Sequence, residues 1–287
     1  MDITQIAQIC LYGVLRGFVY SIMALGLTLI FGTMKIVNLA HGILCILGAY
    51  LAFSLIDLGL DPYFSMLLLL PLFFIIGVCL YFGIFQKTRD PNSSTVSSFG
   101  LLIAIQTLIM IIWNPTPKMV HSYFSDILVP IGVVSLSSSR IVLSALCIFT
   151  AFIVHLLLKK TWIGIAIRST SEDAETSSIM GINVKKVNCI AFSIGLMLAC
   201  LAGVAYGTNY AFDPFVGLSL SFKGFIVLTL AGIGSTLGLL VTGPFLGVIE
   251  GIVGFQLGLG WTDVISYLMI IILLITKPTG IFGGKKI

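Results

Sequence analysis

Polar side chains inside apolar sequence are the residues on which chemistry in this chain could depend, and they are few. Asn38 and His41 interrupt an apolar stretch near the N-terminus, and Glu250 lies in a glycine-rich stretch near the C-terminus. Polar groups at membrane depth are costly, so they tend to face a cavity or a partner. Asn38 and His41 could share a helix face, where they would contact a solute or hydrogen-bond a helix break. Glu250 would be neutral, paired with a partner subunit, or part of a proton relay.

Enzymatic chemistry finds little support in the residue types. The histidines His41, His121 and His155 lie in three separate segments without a nucleophile or metal-ligand motif around them. The six cysteines form no CxxC pair, which argues against a metal site or a disulfide framework. The chain also lacks the G-x-x-x-x-G-K-[ST] loop that cradles phosphates. We therefore expect no catalytic residue, no metal and no cofactor in this chain.

Composition indicates lipid as the solvent of these elements. Of the 287 residues, 58% are hydrophobic and 9% are charged, and the mean hydropathy is +1.15, whereas soluble domains carry about 25% charged residues. Only helices or closed barrels satisfy their backbone groups in lipid. Long apolar runs such as Ile141–Leu158 favour helices over the alternating strands of a barrel. The sequence predicts an all-α polytopic membrane protein with one membrane domain over residues 1–287.

About eight to ten transmembrane helices are expected, including broken or re-entrant segments, because a span needs about 20 apolar residues. The predicted spans are 7–31, 39–57, 63–85, 97–113, 141–158, 187–209, 223–237, 239–256 and 261–276. Glycines puncture two regions near opposite ends of the chain, and interrupted helices often mark a transport pathway. The candidate residues for the pathway or for a helix break are Asn38, His41, Gly42, Gly232, Gly234 and Glu250.

Basic residues concentrate in three connections, which predicts the orientation of the chain. The connections 86–95 and 159–186 and the C-terminal tail carry them, so all three are expected in the cytoplasm. The N-terminus would then lie outside and the C-terminus in the cytoplasm. This assignment requires residues 223–276 to cross the membrane an odd number of times. No nucleic-acid partner follows from the net charge of +4.

The connection 159–186 is long enough to hold an ordered helix of its own. Ser169 or Thr170 can cap its start with Glu172 or Asp173 at capping-box spacing, and Gly181 suits a left-handed position at its end. This pattern predicts a short helix at about 171–180. Such a helix could dock into a groove of a soluble partner. The alternative is a solvated surface helix without a partner.

Four blocks of the chain resemble the permeases of branched-chain amino acid ATP-binding cassette (ABC) transporters. The first is G-L-T-L-I-F-G-T-M-K-I-V-N-L-A-H-G followed by L-G-A-Y, which is similar to the shorter of the two permease types. The second, R-S-T-S-E-D-A-E-T-S-S-I-M-G-I-N-V, is similar to their cytoplasmic coupling loop. The others are G-I-G-S-T-L-G-L-L-V-T-G-P-F-L-G-V-I-E and the tail K-P-T-G-I-F-G. In one departure, Ile43 stands where the family commonly has an acidic residue.

The resemblance implies a type II ABC importer-like permease in the bacterial inner membrane. Its partners would be a second permease (a longer homologue or a second copy), two ATP-binding subunits that bind ATP and Mg²⁺, and an extracytoplasmic solute-binding protein. The solute would be a branched-chain or other small amino acid, urea or a short amide. The residues expected to couple the chain to the ATPase are Arg168, Glu172, Asp173, Glu175, Met180, Gly181 and Asn183. The rival hypothesis is an ion-coupled secondary transporter or channel, with Glu250 or His41 on the ion path.

Overall fold

The computed structural model describes residues 3–88, 90–123, 127–131, 134–232, 234–277 and 280–282. Within them the chain forms eleven α-helices, one π-helical turn and a two-stranded antiparallel hairpin, in agreement with the predicted all-α class. The helices are α1 (Ile3–Met34), α2 (His41–Asp57), α3 (Pro62–Leu80, extended by the π turn Tyr81–Phe85), α4 (Pro91–Trp113), α5 (Ser138–Lys160), α6 (Trp162–Glu172), α7 (Ala174–Ile179), α8 (Val184–Asn209), α9 (Val216–Ala231), α10 (Thr236–Gln256) and α11 (Gly260–Thr276). The hairpin strands are β1 (Leu128–Ile131) and β2 (Val134–Ser137).

Six helices of the described residues are long and apolar enough to cross a membrane, and three shorter apolar helices accompany them. The six are α1, α3 with its π turn, α4, α5, α8 and α10; the shorter ones are α2, α9 and α11. Together they number nine, within the predicted eight to ten. Helices α9, α10 and α11 occupy the region that must cross an odd number of times for the predicted orientation, which stays a prediction. Of these three helices, α10 alone is long enough by length and composition to be a candidate span.

Side-chain caps fix where many helices begin. Asp61 accepts a hydrogen bond from the backbone N–H of Tyr63 at the start of α3, and Asp90 does the same for Ser93 in α4. A proline follows each aspartate at the first helical position, where its missing N–H removes nothing. These local signals determine where the two helices begin, because the uniformly apolar sequence in the middle of each helix does not mark its ends.

Helices α1 and α8 form the centre of the bundle, and α3, α4 and α5 surround it with apolar faces left uncovered. Most of α1 and α8 is buried, whereas α3, α4 and α5 expose large side chains such as Leu67, Ile111 and Phe149. In a bilayer such side chains are solvated by acyl chains. The arrangement therefore places the polar residues of α1 and α8 away from lipid.

Glycines bring α1 and α10 into backbone contact. A Cβ atom added to Gly13 would lie 2.7 Å from the carbonyl oxygen of Gly247, and one added to Gly17 would overlap Gly243. This G-x-x-x-G spacing on both helices allows the close approach that drives helix association in membranes. The α1–α10 interface holds Glu250 against the middle of the bundle.

Two predicted boundaries are wrong. The predicted span 223–237 is instead α9, Val216–Ala231, because Asp213 accepts hydrogen bonds from the N–H groups of Phe215 and Val216 and so starts the helix earlier. The single helix predicted at 171–180 is two helices, α6 and α7, separated at Asp173. The hairpin between α4 and α5 was not predicted.

Candidate functional site

The connection Lys159–Lys186 was predicted from the resemblance to be the coupling loop, and we call it the coupling connection. It folds as two short helices packed on one end of the bundle. Helix α6 buries Ala166 and Ile167 against the bundle. Gly164 lets it turn back on α5, because a Cβ atom there would lie 2.5 Å from the Cα atom of Leu158. The connection is therefore an ordered part of the membrane domain.

Asp173, and not the predicted Ser169 or Thr170, caps helix α7. Its Oδ1 atom accepts hydrogen bonds from the N–H groups of Glu175 and Thr176 at 2.9 and 3.1 Å, and its Oδ2 atom accepts one from the Thr176 hydroxyl at 2.6 Å. The Thr176 side chain and these backbone groups hold the pKa of the Asp173 carboxyl below its usual value of 3.8. Ser169 and Thr170 lie inside α6, so their hydroxyls are too far back to serve as caps. Asp173 is therefore a charged cap at neutral pH, as the positive end of a helix favours.

Helix α7 ends with two apolar side chains in the open. Ile179 is 80% exposed and Met180 is 79% exposed. Gly181 follows with a φ of +87°, the left-handed conformation predicted for it. Asn183 then caps α8 by accepting a hydrogen bond from the N–H of Lys186. The turn directs the tip of α7 away from the bundle.

The remaining predicted coupling residues frame this tip. Arg168, Glu172 and Glu175 are all exposed, Glu172 as the last residue of α6 and Glu175 in the first turn of α7. A groove of about 660 Å³ runs between α6, α7 and the start of α8, with Glu172, Met180 and Asn183 among its lining residues. Asp173 and Gly181 line the same groove, so five of the seven predicted coupling residues meet there. Arg168 lines a separate cavity beside Lys35, and Glu175 lines a third.

A direct bond ties the coupling connection to α1. The Lys35 ammonium group donates a hydrogen bond of 2.8 Å to the carbonyl oxygen of Ser171, at the last turn of α6. Gly32 of α1 leaves room for this contact, since a Cβ atom there would lie 2.8 Å from the Ser171 hydroxyl. Lys35 adopts a φ of +56° to make the turn after α1. The end of α1 and the coupling connection are therefore held together.

Asn38, His41 and Gly42 form a helix break inside the protein. The Asn38 side chain accepts a hydrogen bond from the N–H of Ala40, the last residue before α2. Both Asn38 and His41 are fully buried. His41 lies against Gly26, twelve or so ångströms along α1 from Met34 by the rise of a helix. Gly42 donates its N–H to the hydroxyl of Ser221 at 2.8 Å. Helix α2 therefore starts within the bundle, beside the first turns of α9.

The predicted break between α9 and α10 is also present. Gly232 and Gly234 have φ values of +83° and +90°, which only glycine adopts without strain. The C-terminal segment packs on this break, since a Cβ atom on Gly280 would lie 2.5 Å from the Gly232 nitrogen and the Ile281 N–H donates to the Leu230 carbonyl. The tail motif that resembles the family is thus a cover for the break; its Pro278, Thr279 and Gly283 lie outside the described residues.

Glu250 belongs to a network that the sequence did not reveal. Its Oε1 atom lies 3.1 Å from the Lys223 ammonium and accepts a hydrogen bond from Ser266, and its Oε2 atom accepts one from the Tyr20 hydroxyl. Lys223 also pairs with Asp263 at 3.0 Å. We call Tyr20, Lys223, Glu250, Asp263 and Ser266 the Glu250 cluster. It joins α1, α9, α10 and α11.

The predicted pathway residues do not converge on one point. Asn38, His41 and Gly42 lie at the α2 break, Gly232 and Gly234 at the α9–α10 break, and Glu250 in its own cluster. Lys223 could have been found as a partner for Glu250, because a lysine in a predicted span needs a counter-charge. Its pairing in space, across 27 positions of sequence, carried no local signal.

Comparison with known proteins decides the family. The family model for the permease component of branched-chain amino acid transport systems matches residues 9–274. The chain belongs to this family. It is 29% identical to the high-affinity branched-chain amino acid transport system permease protein LivH of Salmonella typhimurium, over 96% of this chain and 94% of that protein. It is 28% identical to the corresponding protein BraD of Pseudomonas aeruginosa, over 100% and 98%.

A shorter match involves a different solute. Over 30% of this chain and 26% of the relative, the sequence is 39% identical to the guanosine ABC transporter permease protein NupQ of Bacillus subtilis. No solved structure matched the chain. The family and the apolar helices identify a multi-pass membrane permease of the ABC transporter class, a transport subunit whose full-length relatives sit in branched-chain amino acid systems.

Proposed function

We propose that this chain is the membrane-spanning subunit of an importer that moves branched-chain or other small amino acids across the inner membrane, driven by ATP hydrolysis on separate subunits. The observation that carries the proposal is the tip of α7. It presents the exposed side chains Ile179 and Met180 between an aspartate cap and a left-handed glycine. An apolar tip flanked by charges fits a groove on a soluble partner. The full-length similarity to LivH and BraD supports the amino acid as solute.

The partners follow from the same proposal. Two ATP-binding subunits would supply the ATP and Mg²⁺ sites, a second permease (a longer homologue or a second copy) would complete the pathway, and an extracytoplasmic protein would deliver the solute. The coupling connection and the basic ends of α1 and α5 would face the cytoplasm, with the N-terminus outside and the C-terminus inside. Lys35, Lys159 and Arg168 surround one cavity at this end, which supports the orientation.

The mechanism rests on the ordered contacts of the coupling connection. Closure of the ATP-binding subunits would push or release α7. The bond between Lys35 and Ser171 and the packing of α6 on α5 would pass this displacement to the membrane helices. The breaks before α2 and after α9 would let the bundle change between outward- and inward-open states, because hinge motions concentrate in a few residues at the ends of elements.

Removal of the α7 cap tests the coupling. We expect Asp173→Ala to loosen α7 by about 0.5–2 kcal/mol, the usual effect of losing a cap, and Gly181→Val to strain the following turn. Both variants should lower ATP-driven uptake in proteoliposomes that contain the partner subunits, while ATP hydrolysis continues. Glu172→Gln should act in the same direction.

Asp90 provides the matched control. It caps α4 through the same hydrogen bond to a backbone N–H, at an exposed connection outside Lys159–Lys186. Asp90→Ala should insert normally and retain coupled uptake. Equal loss of uptake in Asp90→Ala and Asp173→Ala, or unchanged uptake in Asp173→Ala, would contradict the assigned role of α7.

A second candidate is a nucleoside or another neutral solute, favoured by the NupQ similarity. Uptake of labelled guanosine and leucine by the same reconstituted complex separates the two.

The ion-coupled rival predicts uptake by the chain alone under a pH or sodium gradient. In the structure Glu250 contacts Lys223, Tyr20 and Ser266, so the same uptake experiment decides whether it takes part in ion movement.

A further inference from the structure

A cavity of about 350 Å³ lies beside the Glu250 cluster, at the end of the bundle opposite the coupling connection. We call it the arginine cavity, after Arg16 of α1 and Arg140 of α5. Tyr12 and Tyr210 line it together with these arginines, and the glycines of α10 form its opposite wall. Its volume is within the range of about 300–1,000 Å³ for small-molecule sites.

Aromatic rings hold both guanidinium groups in place. Arg16 lies 4.3 Å above the centre of the Tyr210 ring, and Arg140 lies 4.6 Å from the Tyr12 ring and 5.5 Å from the Tyr210 ring. Both arginines are half-buried. Stacking on a ring leaves the edge of a guanidinium, with its N–H donors, free for another group. The two cations therefore converge on the same tyrosine and face one cavity.

The charges around the cavity do not balance. Of the described residues here, Arg16, Arg140 and Lys223 are cations, and the carboxylates are Glu250 and Asp263. Lys223 pairs with both carboxylates, at 3.1 and 3.0 Å. Neither arginine has a carboxylate oxygen within 4 Å in the described part of the chain; Arg140 has only a hydrogen bond of 3.4 Å to the Asn209 carbonyl. Glu250 itself lines the cavity, but its carboxylate pairs with Lys223. These described residues therefore carry one more positive than negative charge, and neither guanidinium group has a direct carboxylate partner among them.

We infer that the arginine cavity binds the carboxylate of the transported solute at the entrance to the pathway. Planar guanidinium groups match a carboxylate through paired, charge-assisted hydrogen bonds. Such a bond gains strength where protein and lipid exclude water. The inference rests on the proposed function and narrows it, because an amino acid carries this carboxylate and a neutral nucleoside does not. Arg16 and Arg140 are the recognition residues, and the tyrosines position them.

Direct binding to the full chain tests the site. The chain is placed in nanodiscs of uncharged, zwitterionic lipid, and leucine is compared with leucinamide, which has the same side chain and ammonium group but no carboxylate. We expect leucine to bind at least about tenfold more tightly, as a charge-assisted hydrogen bond implies. Arg16→Gln and Arg140→Gln should each bring the ratio of leucine affinity to leucinamide affinity closer to one.

Lys118→Gln is the matched control. Lys118 is also a cation stacked on a ring, 4.9 Å from Phe53, and is not part of the arginine cavity. It should keep the full preference for leucine. Equal binding of leucine and leucinamide to the unmodified chain, or an unchanged preference in both arginine variants, would overturn the inference. Loss of the preference for leucine over leucinamide on adding phosphatidylglycerol at low mole fraction would also overturn the inference. The anion bound in the cavity would then be a lipid headgroup.

Uptake by the reconstituted complex separates this inference from the proposed function. If the unmodified complex takes up leucine with ATP and Arg16→Gln takes it up equally well, the arginine site is wrong and the importer stands. If the chain binds leucine through Arg16 but no complex imports it with ATP, the importer is wrong and the site stands.

Discussion

At the scale of single residues, the position of a polar side chain was easier to predict than its partner. The apolar surroundings of Glu250 and His41 predicted that both lie at membrane depth, facing a cavity or a partner, and both are buried in the structure. The ion pair of Glu250 with Lys223 and its bond to Tyr20 depend on how α1, α9 and α10 cross. No spacing rule relates positions 20, 223 and 250. The convergence of Arg16 and Arg140 on Tyr210 could not be predicted for the same reason, because it depends on how distant helices pack.

Glu250→Gln should destabilise the folded chain. Loss of one partner from a buried ion pair costs about 3–5 kcal/mol, because the other charge stays behind. Asp263 still neutralises Lys223 here, so we expect the lower part of this range. The thermal midpoint of the purified chain in detergent measures it.

Asp263→Asn is the comparison for that experiment. The Asp263 side chain is 42% exposed, against 1% for Glu250. Water screens the exposed pair, so its loss should cost no more than about 1 kcal/mol. A midpoint that falls equally in the two variants would show that burial does not set the stability of this cluster.

At the scale of elements, the backbone breaks that depend on single glycines were predicted, whereas the choice among neighbouring residues that can all start a helix was not. The left-handed Gly181 and the glycine break at 232–234 followed from the sequence, because each depends on its own backbone. The split of α6 from α7 was missed. Ser169, Thr170 and Asp173 all can cap a helix, and the packing of Ile167 on the bundle keeps the first two inside α6.

The glycine contact between α1 and α10 leads to a test of packing. Gly17→Ala would place a methyl group on the backbone of Gly243 and Pro244. Overpacking of this kind costs about 1–3 kcal/mol, so the thermal midpoint and the yield of monodisperse chain should both fall. Gly100→Ala in α4 meets no atom within 4 Å. It should leave the midpoint unchanged or raise it, as alanine favours helix over glycine.

At the scale of the whole molecule, composition and the basic connections predicted the class, the approximate number of membrane helices and their orientation. The first two are confirmed, and the orientation stays a prediction. It is supported by the way the basic residues gather: Lys35 from the turn after α1, Lys159 of α5 and Arg168 of α6 line one cavity. The order of the helices in space could not be predicted, because lipid-facing and buried apolar faces have the same composition.

Accessibility labelling tests the orientation. In a background without the native cysteines, Glu175→Cys should react with an impermeant thiol reagent only in inside-out vesicles. Leu58→Cys, at the other end of α2 and 76% exposed, should react only in right-side-out vesicles. Reaction of both positions from the same side would contradict the predicted topology and, with it, the importer.

Helix α1 links two of these scales physically. It runs for 32 residues without a proline, about 48 Å by the rise of a helix, from the Lys35 bond at one end past Arg16 toward the other. A displacement that tilts the Lys35 end of α1 must also move Arg16 relative to Arg140, because Arg140 belongs to a different helix, α5. The affinity of the two arginines for an anion would then fall during the same movement that displaces α7. Solute release would therefore need no separate conformational change. Spin labels on α1 and α5 beside the two arginines would show their separation change on ATP binding.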